Sequence, residues 1–515
     1  MRPQITFGGI ELGVAPKAAG QAPGRTNPLR IAVIGDFSGR ANRLAQIAAP
    51  ERTKLRFQRI DRDNFDDVLR KLDVGLDRLL TTPDGQAVSV RMRELDDFTP
   101  DRLLAEVNVF EQLRETRRRL LKPATFDQAA AEVRAWAAAK PAPAAPTTPS
   151  EPEPGEPATG PLVTDLFDSL LDETGRQESA RPADVPDWQA FVRDIVAPYV
   201  VPGRPPEQAE LLRCVDEALA AALRRLLHHP QFQALEAAWR GLWFVVRRLE
   251  TDESLQIHLL DISRAEVAAD LAQPDLKKTA LYHLLVEQAV GTSGSPPWGV
   301  IVGNFTFGMS EDDVLLAERL GQLAAAAGAP LVAAGGNDLV GCSSPRQTPE
   351  VDDWADPEAA PANANWQQLR GAAVAPWLAL AWPRFLARVP YGSKTRPIDA
   401  FEFDELSAGR PHGEHLWGNP AFLVAARLGE AFTESGWQLE PGLMAQFESL
   451  PSYTFDDDGE PTLQTCGELL LRERGAARVI ERGLIPVVSS AREDKLTLGR
   501  ITSISGQPLA GRWRG

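Results

Sequence analysis

The stretch RIAVIGDFSGR, residues 30–40, has the residue types of a phosphate-binding loop at the end of a strand. An apolar run of four residues leads into Gly35 and Asp36, and a second glycine follows at Gly39. A Walker loop has the pattern GxxxxGK[ST], in which the lysine reaches the phosphates and the hydroxyl binds magnesium. Here arginine, alanine and asparagine follow the second glycine, and the GxGxxG pattern of a dinucleotide loop is incomplete. The stretch therefore favours a strand and a turn without a ligand, with nucleotide binding as the distant alternative.

Three other places contain residue types that bind phosphate or metal in other proteins. The glycine-rich stretch 291–299 precedes a predicted strand, whereas a phosphate loop follows a strand and leads into a helix. The stretch FDDDGE, 455–460, lacks the further carboxylates of an EF-hand loop and is typical of a tight turn. His412 and His415 lie among arginine, proline and glycine, and we interpret them as part of a surface turn rather than a metal or catalytic pair.

The cysteine pattern and the lack of catalytic signatures argue against an enzyme. Cys214, Cys342 and Cys466 are isolated from one another, which indicates a reducing compartment and no zinc site. The GxSxG pattern of a hydrolase nucleophile does not occur. The sequence thus predicts a binding or structural protein with no cofactor and no catalytic, cofactor-binding or metal-ligating residues.

The elements that position these residues alternate between strand and helix patterns. Apolar and alternating runs predict strands at 30–35, 54–60, 87–93, 255–261, 298–307, 330–336, 377–382, 398–403 and 484–489. Helix patterns include a long helix that begins at Thr99, and helices with Ser263 and Ser310 as their N-caps. This order predicts an α/β fold with largely parallel strand pairing.

Composition divides the chain into four segments. Residues 139–161 are rich in proline, alanine and acidic residues and predict a disordered linker. Residues 1–138 predict a small domain with a β-sheet and a long helix, and residues 162–180 an amphipathic helix. Residues 181–515 predict a larger α/β domain with an N-terminal helical region.

Overall charge and hydropathy exclude two classes of partner. The 515-residue chain has a net charge of −16 and no basic stripe, so we expect no nucleic-acid binding. No window approaches the length of uninterrupted apolar sequence that spans a bilayer, so we expect no direct membrane insertion and a cytoplasmic location.

Two parts of the chain resemble the type VI secretion contractile sheath family. Residues 27–122 resemble the small sheath subunit (TssB-like) in PLRIAVIGDFSGR, IDRDNFDDVL and MRELDDFTPDRLLAEVNVFEQLRETRRRLL. Residues 185–505 resemble the large subunit (TssC-like) in HHPQFQALEAAWRGLWFVV, WGVIVGNFTF, WPRFLARVPYG, FEFDE and LWGNPAFLVAARLGEAFTESGW. Both subunits are then fused in one chain. In that family the GDFSGR block is structural, which agrees with the missing lysine.

The resemblance implies a structural component of a bacterial sheath that assembles around an inner tube. The implied partners are other sheath subunits, the inner tube protein, the baseplate and an AAA+ ATPase that disassembles the sheath. That ATPase grips an amphipathic segment near the N-terminus of the large subunit; the alternative here is a helix docked on its own domain. The residues that resemble the gripped segment are Leu166, Phe167, Leu170 and Leu171. The residues expected in a strand exchanged between subunits are Ile5, Phe7 and Ile10.

The resemblance covers only part of the family's large subunit. In the family, that subunit continues into a further domain that packs with the small subunit, and we expect this C-terminal domain to be absent here. The purified chain is then expected to stay monomeric or a small oligomer unless a partner supplies that domain. A sheath-associated accessory or capping factor that does not polymerise alone is the alternative within this class, and a nucleotide-binding enzyme is the alternative outside it.

Overall fold

The computed structural model describes residues 6–7, 10–11, 27–43, 55–81, 87–138, 208–292, 295–346, 348–407, 409–442, 444–457 and 459–513. The chain divides into two compact units. The first unit takes residues 1–80, 87–111 and 219–515, and the second takes residues 81–86 and 112–218.

Strands and helices alternate through the described residues. The strands are β1 Thr6–Phe7, β2 Ile10–Glu11, β3 Leu29–Gly35, β4 Gln58–Ile60, β5 Gly75–Thr81, β6 Ala87–Arg91, β7 Leu255–Asp261, β8 Val300–Phe307, β9 Leu331–Gly335, β10 Leu378–Trp382, β11 Phe385–Leu386, β12 Trp417–Gly418, β13 Ala445–Phe447, β14 Tyr453–Asp457, β15 Glu460–Gln464, β16 Leu484–Ser489 and β17 Leu496–Leu498. The helices are α1 Arg40–Arg43, α2 Phe65–Lys71, α3 Pro100–Glu106, α4 Glu111–Leu120, α5 Phe126–Ala138, α6 Gln208–Leu227, α7 Pro230–Arg248, α8 Arg264–Leu271, α9 Ala280–Tyr282, α10 Glu311–Ala327, α11 Asn363–Gly371, α12 Ala421–Ser435 and α13 Glu473–Glu481. None of these helices is long and apolar enough to cross a membrane.

A nine-stranded sheet forms the centre of the first unit. Its strand order is β13-β17-β16-β10-β9-β8-β3-β7-β4. The six strands from β16 to β7 pair in parallel, and the three outer strands are antiparallel to the strands beside them. Parallel strands covered on both faces are apolar along their whole length, which explains the continuous apolar runs in the sequence. The predicted α/β class is confirmed.

Strand β3 precedes the proline-rich stretch in sequence but lies between β7 and β8, which follow it. It pairs with β7 over seven residues, from Leu29 opposite Leu255 to Gly35 opposite Asp261. On its other edge it pairs with residues 300–303 of β8. The two parts of the chain therefore complete a single sheet, a connection that the sequence patterns do not reveal.

Helices cover both faces of this sheet. On one face, Val267 of α8, Leu281 of α9 and Leu320 of α10 belong to the same buried cluster as Ile34 and Leu331 of the sheet. On the other face, α12 packs against α7 and against strands β3, β8, β9 and β10. The result is a three-layer α/β/α arrangement in which the sheet is the core.

The N-cap predictions at two helices are confirmed in detail. The Ser263 side chain accepts the backbone N–H of Glu266, and the Glu266 side chain accepts the N–H of Ser263, which is a capping box. Ser310 likewise accepts the N–H of Asp313 at the start of α10.

Two local predictions are wrong. The predicted long helix is interrupted, because Val107 is extended (φ −87°, ψ 117°) between α3 and α4. The short 3-10 turn that follows buries the adjacent side chains Val109 and Phe110, which a continuous helix would direct about 100° apart. Residues 398–403 form no strand. The alternation of Phe401 and Phe403 instead reflects two buried rings in an irregular segment.

The described part of the second unit is helical and held by ion pairs. Arg117, in the last turn of α4, binds Asp216 of α6 with 2.5 Å between Nε and Oδ1. Arg119 binds Glu132 of α5 at 2.7 Å. The Gln208 side-chain amide donates to the carbonyl of Leu120, the last residue of α4. The three arginines of the basic run at the end of this helix thus all have carboxylate partners.

Candidate functional site

The GDFSGR loop, residues 35–40, follows β3 and turns sharply into α1. Gly39 has φ of 78°, and a Cβ atom there would lie 2.2 Å from the Gly75 carbonyl oxygen. Only glycine is compatible with that conformation and that contact. The second glycine of the motif is therefore required by the turn itself, before any ligand is considered.

The carboxylate of Asp36 occupies the place that an anion would take at the start of α1. It accepts the backbone N–H groups of Gly39, Arg40 and Ala41, each at 2.8 Å. These are the donors that a helix N-terminus leaves without intrahelical partners. Asp36 therefore supplies hydrogen-bond acceptors for these N–H groups from within the loop.

A second carboxylate, Asp261 at the end of β7, holds the first half of the loop. It accepts the N–H groups of Phe37 and Ser38 at 2.9 and 3.0 Å, and the Ser38 hydroxyl at 2.7 Å. Burial raises the pKa of Asp261, although these hydrogen bonds favour its charged form. The five consecutive N–H groups of residues 37–41 thus all donate to carboxylates.

Arg40 links the loop to the N-terminus of α8. Its guanidinium donates twice to Glu266 and lies 3.7 Å from Asp261. The hydrogen bond to Glu266 raises the pKa of Arg40 above its ordinary value. Burial opposes ionisation of Glu266, but the hydrogen bonds from Arg40 and Ser263 together with the charge of Arg40 lower the pKa of that carboxyl. A phosphate here would meet three carboxylates, those of Asp36, Asp261 and Glu266, so the geometry favours a structural joint.

Aromatic side chains attach the same loop to α7. The Trp239 indole N–H donates to the Phe37 carbonyl at 2.7 Å, and the two rings meet edge to face at 5.5 Å. Phe65 of α2 contacts Trp239 at 5.4 Å in the same manner. Residues from before and after the proline-rich stretch therefore meet at one fixed, largely buried point.

A buried ionic network was not anticipated from the sequence. Arg388 binds Glu236 of α7 and Glu405 at once, each through two hydrogen bonds of 2.7–3.3 Å. Arg240 donates a third hydrogen bond to Glu236 at 2.6 Å, and the N–H of Tyr391 donates to Glu405 at 2.7 Å. Burial opposes the charge on Glu236, yet the two arginines lower the pKa of its carboxyl.

The residues of this network come from three of the sequence stretches that carry the family resemblance. Glu236 lies in HHPQFQALEAAWRGLWFVV, Arg388 in WPRFLARVPYG and Glu405 in FEFDE. For Arg388, the signal in the sequence is a charged residue between apolar neighbours, since such a residue is buried only if it is paired. The network joins α7 to residues 388–405 and makes the three stretches one structural element.

The interpretation of His412 and His415 as a surface turn is wrong for His415. That side chain is buried, its Nε2 lies 2.7 Å from the Tyr453 hydroxyl, and burial lowers its pKa to about 4. His412 instead contacts Glu468 at 2.7 Å, and both imidazoles stack on Trp417. The two histidines thus share an aromatic neighbour but have separate hydrogen-bond partners. Within the described ranges, no group of three or more histidine, cysteine or acidic side chains could hold a metal ion.

Within the acidic stretch at 455–460, Gly459 lies in a turn between β14 and β15, as predicted. Gly459 has φ of 92°, and its N–H donates to Asp456 at 2.8 Å. The Asp456 carboxylate thus accepts a hydrogen bond within the turn.

The predicted partner-binding residues fall largely outside the described residues. Leu166, Phe167, Leu170 and Leu171 lie outside them, and so does Ile5. Phe7 and Ile10 lie in β1 and β2, a two-stranded antiparallel pair in which they are directly opposite each other. Their roles in binding other chains stay predictions.

Two family models match the chain, one on each side of the proline-rich stretch. The model of a contractile tail sheath domain, described as VipB (EvpB/VC_A0108, tail sheath N-terminal domain), matches residues 209–505. That match covers more than half of the chain, and the chain therefore belongs to the VipB tail sheath family. A second model, described as Type VI secretion system, VipA, VC_A0107 or Hcp2, matches residues 10–131. Sequence regions of both sheath families are thus fused in one chain, as predicted.

A curated relative agrees with the VipB match. The Type VI secretion system sheath protein TssC1 of Pseudomonas aeruginosa is 31% identical over 293 residues. The match covers 55% of this chain and 58% of that protein. The chain thus spans less than two thirds of the length of this relative.

Proposed function

We propose that this chain is a structural component of a type VI secretion contractile sheath and takes part in sheath assembly around an inner tube. The observation that carries the proposal is the position of β3. A strand of the VipA-matching region lies between two strands of the VipB-matching region, so both regions form one sheet. This is the arrangement expected of a single protomer that combines both subunits. The location that follows is the bacterial cytoplasm.

Electron microscopy tests this proposal. The purified chain is imaged by negative stain alone, with an inner tube protein, and with separate small and large sheath subunits. Tubular assemblies that contain the chain support a role in the sheath. Incorporation only in the presence of the other subunits identifies an accessory or capping factor, and no association with any of them contradicts the proposal.

Under the same proposal, we expect the chain to catalyse no reaction and to need no nucleotide cofactor. The support is the GDFSGR loop, whose N–H groups from Phe37 to Ala41 already donate to carboxylates. Calorimetry with ATP or GTP and magnesium is the test. Binding tighter than about 0.1 mM, equivalent to about 5.5 kcal/mol, would contradict the structural interpretation.

For the amphipathic segment, the proposed partner is a disassembly ATPase of the AAA+ class. The support is the sequence pattern, in which Leu166, Phe167, Leu170 and Leu171 form one apolar stripe flanked by acidic residues. Replacing Phe167 and Leu170 with alanine should abolish binding of the ATPase and leave the melting temperature of the chain nearly unchanged. An Asp168→Asn variant, which leaves the stripe intact, is the matched control. A large loss of thermal stability in the double variant would support a helix docked on its own domain.

For the N-terminal segment, the proposed role is strand exchange with a neighbouring subunit through Ile5, Phe7 and Ile10. The support is the strand conformation of residues 6–7 and 10–11. An added strand contributes main-chain hydrogen bonds and places alternate side chains in pockets of its partner. Replacing Phe7 and Ile10 with aspartate should weaken assembly in the microscopy assay without changing the fold, whereas a Gln4→Asp variant should not.

A further inference from the structure

A cavity of about 460 Å³ lies beside the amino-terminal ends of β3 and β8. Its lining includes Arg30, Arg56, Phe57 and Trp298, and no residue of the 35–40 loop. Cavities of a few hundred Å³ accommodate small organic ligands. The cavity is therefore a second candidate ligand site, separate from the GDFSGR loop.

Arg30 is a half-buried cation whose polar partners in the described residues are all neutral. Its Nη1 donates to the Pro296 carbonyl, and its guanidinium carbon lies 3.9 Å from the centre of a ring of Trp298. Its Nε lies 3.4 Å from Nε2 of His258. The same imidazole nitrogen also lies 3.2 Å from Oε1 of Gln256. Burial, and then the charge of Arg30, lowers the pKa of His258 to about 4, which is consistent with a neutral imidazole.

Arg30 differs from Arg388, the buried arginine of the ionic network described above, because Arg30 has no carboxylate partner among the described residues. Arg388 has two carboxylates, whereas burial lowers the pKa of Arg30 with no acidic group to offset it. A cation taken partly out of water is costly unless an anion accompanies it. Arg56, which is exposed at the same cavity, adds a second positive charge. His283, also in the lining, has its own partner in Glu287 at 2.6 Å.

The wall beside these two arginines is aromatic. The rings of Phe57 and Trp298 lie 4.4 Å apart at a tilt of 44°. Such a wall favours a flat or apolar group next to the charged one. The cavity thus combines a hydrophobic face with two positive charges that have no carboxylate partner among the described residues.

We propose that this cavity binds a small organic anion, with its carboxylate or phosphate between Arg30 and Arg56 and its apolar body against the half-buried ring of Phe57, which rests on the buried Trp298. Guanidinium groups bind both kinds of anion through paired hydrogen bonds, so this chemistry is shared by carboxylates and phosphates.

Calorimetry on the full chain with four probes tests the proposal. Benzoate and phenyl phosphate carry a ring with each kind of anion, benzyl alcohol carries the ring without a charge, and inorganic phosphate carries the charge without a ring. We expect one or both aromatic anions to bind at least about tenfold more tightly than benzyl alcohol and inorganic phosphate. Whichever of the two binds more tightly identifies the kind of anion.

Variants locate the binding. Arg30→Met and Arg56→Met should each weaken binding of the preferred anion, by about tenfold or more for Arg30. Arg492→Met, at an exposed arginine outside the cavity, should leave it unchanged. Arg56 is exposed, so its variant remains informative if Arg30→Met fails to fold. The proposal is overturned if neither anion binds, if benzyl alcohol or inorganic phosphate binds equally well, or if Arg56→Met and a folded Arg30→Met retain full affinity.

Discussion

Cutting the chain within the proline-rich stretch after folding should leave the two fragments associated. A recognition sequence for a specific protease, placed at residues 148–154, makes the cut possible without touching either family match. We expect the fragments to stay associated because β3, in the first fragment, pairs along both edges with strands of the second fragment, β7 and β8. The covalent connection is then not what holds this sheet together.

The structure indicates the size of this association. The buried large side chains of the first fragment include seven in β3, the 35–40 loop, β4 and the start of α2: Leu29, Ile31, Val33, Ile34, Phe37, Ile60 and Phe65. Burial of such side chains contributes about 1.5–3 kcal/mol each, or roughly 10–20 kcal/mol together. Each main-chain hydrogen bond of β3 adds about 0.5–1.5 kcal/mol. Association of two fragments costs about 4–15 kcal/mol, so we expect a dissociation constant tighter than about 1 μM.

Size-exclusion chromatography of the cleaved protein at micromolar concentration is the assay. We expect one peak that contains both fragments, and two peaks only in denaturant. A chain with Val33→Asp is the control, since it places a carboxylate at a fully buried position of β3 and should separate after cleavage. If the cleaved unmodified chain separates into two folded fragments, the pairing of β3 does not hold the two parts together and this reasoning fails.

Three further predictions concern single side chains, all measured by urea denaturation. Asp261→Ala removes the acceptor of three hydrogen bonds from the GDFSGR loop and should lower the free energy of unfolding by about 3 kcal/mol; a loss below about 1 kcal/mol would contradict the assigned role. Arg388→Met leaves two buried carboxylates without their shared partner and should cost about 3–5 kcal/mol, so a neutral result would show that the network is not formed. In the folded chain the pKa of His415 is about 4, below the ordinary histidine value of about 6.5. As the pH falls, the unfolded chain therefore takes up a proton on this histidine at a higher pH than the folded chain does. Its contribution to stability is complete above pH 6.5 and lost as the pH falls towards 4, by up to about 3 kcal/mol, and His415→Phe should reduce that slope.

Local features of the fold could be predicted because they depend on neighbours in the sequence. The serine caps of α8 and α10 need only a serine and the N–H group three residues later. The apolar runs of β3, β8 and β9 follow from burial on both faces of a parallel sheet. The missing lysine after Gly39 was sufficient to favour a turn over a nucleotide loop.

The remaining features depend on residues far apart in the sequence. The insertion of β3 between β7 and β8 brings residues more than 200 positions apart into register, and apolar periodicity carries no information about the partner of a strand. The pairing of Glu236 with Arg388 spans 152 positions. The burial of His415 was missed because its polar neighbours in the sequence are typical of a surface turn, whereas its ring packs on Trp417 and Tyr453.

The GDFSGR loop illustrates how a phosphate-like motif serves a structural purpose. A glycine-containing turn between a strand and a helix leaves several N–H groups without main-chain partners, and any anion of suitable geometry can accept them. Here the anions are Asp36 from the loop itself and Asp261 from the end of β7. Because Asp261 belongs to the neighbouring strand, its hydrogen bonds fix the carboxyl end of β3 against β7. Trp239 of α7 then fixes the same loop from the helical layer. The motif therefore joins the VipA-matching strand to two elements of the VipB-matching region.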